Sequence, residues 1–176
     1  MDWGMIKHFS KDEFPCDTDL IDPEYFNRLE MGRVALGECI HPSPVEGAFA
    51  RFGGSTGSTH YVGENPSCIV RLATGGDVFC EGVPFVNFNT LLHAKVFSGI
   101  GIYLDTQGPD GLPCVMFHLD IRSNYTVEKP LVWICIKKLD AETGEIYNSY
   151  LYPQNDNKHY LLLKRAIFFK EREIDI

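Results

Sequence analysis

The hydrophobic period of this chain changes abruptly near residue 98, and that change constrains the fold more than any other feature. Before it, Phe85, Phe88, Leu91, Leu92 and Val96 form one apolar stripe at helical spacing, opened by Pro84. After it, GIGIYLD (99–105), CVMFHLDI (114–121) and LVWICIKK (131–138) alternate with a period of two and predict strands. The first two meet across the turn signal Gly108-Pro109-Asp110-Gly111. Residues 145–152 and 159–169 predict a further strand pair around the turn-rich stretch 153–158. Upstream, Asp22-Pro23-Glu24 is a helix start, Tyr25, Phe26, Leu29 and Leu36 follow helical spacing, and Gly37 ends the segment. Residues 5–19 read as irregular. Residues 41–67, rich in Gly, Pro and Ser, read as largely loop. Helix, loop, short strand, helix and then consecutive strands predict an α+β domain, not an alternating β/α one.

A chain of 176 residues suits one compact domain with its own core. No apolar run approaches the roughly 20 residues that span a bilayer, and the opening MDWGMIKHFSKDEF lacks the basic-then-apolar pattern of a secretion signal. A net charge of −8 argues against a nucleic-acid binder, which would normally show a basic face, and does not favour adhesion to anionic membranes. Six cysteines are scattered without a CxxC pair, so no structural zinc knuckle is expected, and several, lying within apolar runs, read as small buried hydrophobes, reduced in a cytosol.

Alternation along 114–121 places Cys114, Met116, His118 and Asp120 on one face, and the apolar Val115, Phe117, Leu119 and Ile121 on the other. His118 and Asp120 therefore project together, as a preorganised site or as a solvated pair on an exposed sheet face. A second cluster of polar residues, Ser58-Thr59-His60, ends the glycine-rich stretch. Asp77 enters the short apolar run that follows, where a carboxylate needs a partner. Imidazole and carboxylate both suit zinc, and three protein ligands leave a position open for water. Spacing alone does not connect His60, Asp77 and His118. His93 reads as a helix-surface residue, and His8, His41 and His159 as residues in or beside turns, without a metal. Arg71, in CIVRLAT, reads as a surface strand residue, with a position facing the site from the segment 61–76 as the alternative.

Several segments in order resemble the LAS-type zinc peptidases, the D-Ala-D-Ala carboxypeptidases and L-Ala-D-Glu endopeptidases of the Hedgehog/DD-peptidase fold, and phage and prophage versions most of all. HFSKDEFPC resembles the family's entry segment, and Leu29-Glu30 with Arg33 and Gly37 its "LE…R…G" helix. Arg51 stands where the family has its "GYR" segment. Ser58-Thr59-His60 to Gly76-Asp77-Val78-Phe79 resembles the "SxH…D" motif, and Gly99–Asp105 with Phe117-His118-Leu119-Asp120 the "GxGxY…HxD" ending.

The resemblance implies a small antiparallel sheet flanked by two or more helices, with zinc held at the sheet face by His60, Asp77 and His118. It implies Arg51 and Ser58 as substrate contacts, Arg51 also in a catalytic role, and Asp120 as general base or as a residue orienting the site. The implied activity is cleavage of peptidoglycan stem peptides, as carboxypeptidase or endopeptidase, by a phage-encoded protein in the host cytoplasm and then the cell wall, or in the virion. A phage virion or baseplate protein keeping the fold without turnover is the alternative. The chain departs from the pattern in three places. The segment Tyr61–Gly76 separates His60 from Asp77, Val115 stands where many members have a glutamate, and the extension 137–176 follows the zinc-peptidase-like domain 1–136. That extension is expected to pack on the same domain as β structure or to dock phage structural proteins.

Overall fold

The structure, a computed structural model, describes residues 3–108 and 110–152. The predicted strand at 159–169, the turn before it and His159 lie outside the described residues. Short 3-10 turns over Trp3–Met5, Lys11–Glu13 and Thr18–Leu20 lead to helix α1, Pro23–Leu36. There follow β1 (Ile40–Pro42), β2 (Arg51–Phe52), β3 (Tyr61–Asn65), β4 (Cys68–Ile69), β5 (Gly75–Cys80) and α2 (Pro84–Ala94). The chain then forms β6 (Gly99–Gln107), β7 (Pro113–Asp120), β8 (Leu131–Leu139) and β9 (Ile146–Leu151).

Helix α1 starts and stops where local chemistry dictates. The Asp22 carboxylate accepts from Glu24 N at 2.8 Å, Pro23 opens the first turn, and Gly37 closes the helix at φ 69°. Helix α2 ends before Val96, because Lys95 turns into the left-handed region at φ 54°. Val96 is nonetheless buried, so its place in the apolar stripe was right and its place in the helix was not.

A six-stranded sheet has the order β1-β5-β7-β6-β8-β9, and a small one the order β2-β3-β4. The large sheet is mixed, not antiparallel, because β6 and β8 run parallel. The reason lies in the connection: β7 ends at Asp120 opposite Gly99, and β8 begins at Leu131 opposite the same glycine. The link between them crosses the end of β6, so β7 and β8 flank β6 on either side and run in opposite directions. The stretch 41–67 also holds more pairing than its composition predicts, since most of β1 and all of β2 and β3 lie within it.

One face of the large sheet carries Val78, Ile100, Ile102, Val115, Phe117, Leu119, Val132 and Ile134. These share a core with Tyr25, Phe26 and Leu29 of α1 and Phe88 and Leu91 of α2. That core fixes the backbone whose opposite face carries the polar residues. No helix among the described residues is long and apolar enough to cross a membrane.

Candidate metal centre

Strand register builds the site as a row across the sheet. Asp77 on β5 pairs with His118 on β7, His118 with Gly101 on β6, and Gly101 with Trp133 on β8. The next row pairs Gly75, Asp120, Gly99 and Leu131. Two glycines of β6 make room for it. A Cβ at Gly99 would lie 2.2 Å from the Asp120 carboxylate, and one at Gly101 would lie 2.4 Å from the Trp133 ring. The GxGxY pattern thus leaves space above β6 for the site's second layer.

His60 comes from a loop, and the segment 61–76 that separates it from Asp77 folds as an excursion. It pairs β3 with β4 and returns at Thr74, whose N–H donates to the Thr59 carbonyl at 2.9 Å. Asp77 follows three residues later, beside His60. The loop is held by Arg71, whose guanidinium donates to the carbonyls of Tyr61 at 2.9 Å, Thr56 at 2.8 Å and Ser58. Arg71 is therefore a clamp on the segment that presents His60, which its sequence context did not reveal. Arg71→Ala is expected to weaken metal affinity about tenfold, the size of effect seen when supporting partners of a ligand are lost. Isothermal titration of the chelator-treated protein with zinc would measure it, and an unchanged affinity would refute the clamp.

The ligand atoms of His60, Asp77 and His118 converge as one of the groups able to hold a metal ion. His118 Nδ1 lies 2.8 Å from Asp77 Oδ1 and 3.0 Å from His60 Nε2, and His60 Nε2 lies 3.7 Å from Asp77 Oδ1. Zinc bonds of about 2.1 Å in a tetrahedron need ligand atoms roughly 3.4 Å apart. The three separations bracket that value, so the residues fit the ion with shifts of a few tenths of an ångström. The other side of His118 is fixed as well. Its Nε2 lies 3.1 Å from Asp120 Oδ2 and 3.0 Å from Thr59 Oγ1, which aims Nδ1 at the centre. His60 is held less firmly: no side chain supports its buried Nδ1, and only the Ala48 backbone lies beside the ring.

His118 and Asp120 are only 3% and 0% exposed, so they are not a solvated pair on an open face. Burial holds His60 down at about 4, helped by the neighbouring His118 charge. Burial also acts against a charged His118, but hydrogen bonds and charge from Asp120 and Asp77 outweigh it and hold that ring up at about 9. Asp120 resists its own burial in the same way: His118 and Arg122 keep it well below the usual carboxylate range.

Arg122, absent from the sequence-derived set, completes this layer. Its Nε donates to both Asp120 oxygens at 2.9 Å, and its guanidinium lies over the Trp133 ring, 4.7 Å from the centre. Trp133 in turn lies 5.3 Å from the His118 ring. With its oxygens taken by His118 and Arg122, Asp120 occupies the orienting position and does not face open space as a base would. Arg122, Trp133 and Tyr103 line the same pocket as Ser58, Thr59, His60 and His118. Ser58 is there, with its Oγ accepting from His60 N at 3.3 Å. Arg51 is not: its exposed side chain runs past Gly47 and Gly54 and lines a separate cavity with Cys16, Glu46 and Phe52. It reaches His60 only through its charge and through its backbone N–H, which donates to the His60 carbonyl at 2.7 Å.

The six cysteines are unpaired in this structure; Cys135 is buried, but Cys68 is exposed. No family model matches the chain, and neither a curated protein nor a solved structure does.

Proposed function

We propose that this protein is a zinc-dependent peptidase that hydrolyses peptidoglycan stem peptides. The observation that carries the reading is the convergence of His60 Nε2, Asp77 Oδ1 and His118 Nδ1, with both histidines lining an open pocket and Asp120 behind His118. The ordered resemblance to LAS-type peptidases supports the substrate class. Zinc bound there would polarise the scissile carbonyl and lower the pKa of a water toward ~7. The chain's own residues divide the remaining work. Asp120 and Thr59 orient His118. Arg122, held between Asp120 and Trp133, replaces Arg51 as the cation facing an acidic stem peptide. Burial raises the pKa of Tyr103 well above its ordinary value, so its hydroxyl remains a donor that can hold the peptide and does not act as a base.

One observation favours a second reading. Among the described residues lining the pocket there is no aspartate or glutamate, and Val115 occupies the position of the family's glutamate. A phage virion or baseplate protein that retains the metal site without turnover would look the same.

Isolated sacculi separate the two. The peptidase should bind one zinc at this centre and release D-Ala or new amino termini, and His60→Ala and His118→Ala should reduce that zinc and the release to background. Zinc bound at this centre without release from walls of several chemotypes would establish the structural reading. Failure of His60→Ala and His118→Ala to change zinc content would overturn both.

A further inference from the structure

Three ligand-type side chains outside this centre are mounted on one edge of the large sheet. Cys39 precedes β1, His41 lies within it, and Glu81 follows β5. His41 is therefore a strand residue, beside the turn-rich stretch where its sequence context places it. The ladder Ile40↔Cys80 and His41↔Phe79 continues past its last pair, where Glu81 N donates to the Cys39 carbonyl at 2.9 Å. Backbone pairing thus sets Glu81 opposite Cys39. Two-residue spacing then puts His41 on the same face as Cys39. His41 Nε2 lies 2.8 Å from Glu81 Oε1, and the sulfur, imidazole and carboxylate atoms all fall within 4.8 Å of one another.

We propose that Cys39, His41 and Glu81 form a second metal site, one that takes a thiophilic divalent ion such as Zn²⁺. The donor set decides the class of ion. Thiolate and imidazole suit zinc and its neighbours, whereas calcium and magnesium take oxygen ligands. Binding forms three metal–ligand bonds, and the Cys39 thiol gives its proton to solvent. Arg33 already engages this sulfur, its Nη2 donating to Cys39 Sγ at 3.1 Å. The half-exposed His41 and Glu81 side chains leave the outer side of the site to water. β1 is the outermost strand, and just beyond it Ser43 N donates to the Asp77 carbonyl at 2.9 Å. An ion here would staple that edge strand to β5, the strand that carries Asp77.

Sulfur distinguishes this site from the first, whose ligands contain none. The full-length, reduced, chelator-treated protein would be titrated anaerobically with Co²⁺ and followed by near-ultraviolet absorption. A saturable thiolate-to-cobalt charge-transfer band is expected, lost in Cys39→Ser and retained in His60→Ala and Cys68→Ser. His41→Ala and Glu81→Gln should weaken the cobalt affinity read from that band by at least the roughly tenfold that loss of a mere supporting partner costs. A saturated protein without the band would reduce the cluster to a His41–Glu81 ion pair. A band that survives Cys39→Ser, or disappears in Cys68→Ser, would likewise overturn the site.

Discussion

Asp120→Ala is expected to destabilise the metal-free protein by about 3–5 kcal/mol, the usual cost of removing one partner from a buried ion pair. The carboxylate is fully buried and joins two cationic groups, the His118 imidazolium and the Arg122 guanidinium. Its loss leaves His118 with Asp77 as its remaining anionic partner and frees Arg122 from the position over Trp133. Asp120→Asn should cost less, since it keeps the shape and one acceptor while losing the charge. Zinc affinity should fall in both variants, by about 10–100-fold, because His118 Nδ1 is no longer aimed at the centre. Urea unfolding in the presence of chelator measures the first effect and zinc titration the second. A loss below about 1 kcal/mol in Asp120→Ala would mean that the pair contributes little beyond its own desolvation.

The metal-free protein should be most stable near pH 6.5 and lose stability on either side, and the two histidines supply the opposite slopes. His60 titrates at about 4 when folded and near 6.5 when unfolded, so the unfolded chain binds the extra proton in that interval. Stability therefore rises with pH from about 4 to 6.5. His118 titrates at about 9 when folded, so here the folded chain binds the extra proton, and stability falls from about 6.5 to 9. The second slope amounts to on the order of 3 kcal/mol. Zinc must displace the His118 proton, so its affinity should grow over the same upper interval. Denaturant midpoints in chelator at pH 5, 6.5 and 9 provide the check. Stability that stays flat or rises between pH 6.5 and 9 would show that His118 is not held as an imidazolium by Asp77 and Asp120. In Asp120→Asn the upper slope should become shallower, because one of the two carboxylates no longer carries charge.

The same residues show how far the sequence reaches. Both helices and five of the strands were legible, because capping chemistry at Asp22-Pro23, the short apolar run that Asp77 enters and the period-two runs at 99–105, 114–121, 131–138 and 145–152 are local signals. His118 was legible for the same reason: alternation on β7 fixes its face against a continuous apolar one. The parallel pairing of β6 with β8 was not, since strand order depends on where a connection crosses and no residue encodes that locally. Arg122, Thr59 and Arg71 were missed on similar grounds. Each acts on a residue held in place by another element: Thr59 on His118, Arg122 through Trp133, and Arg71 on loop carbonyls.

By itself, the sequence determined the elements and their faces: an α+β chain with His118 and Asp120 on the side of β7 opposite the core. Only the tertiary structure decided that His60 and Asp77 meet His118. The excursion through β3 and β4 returns at Thr74 beside Thr59, and sheet register sets Asp77 against His118. The physical reason is range. Periodicity and capping act over a few residues, whereas a metal centre is assembled from backbone pairings between segments that only the packed core brings together.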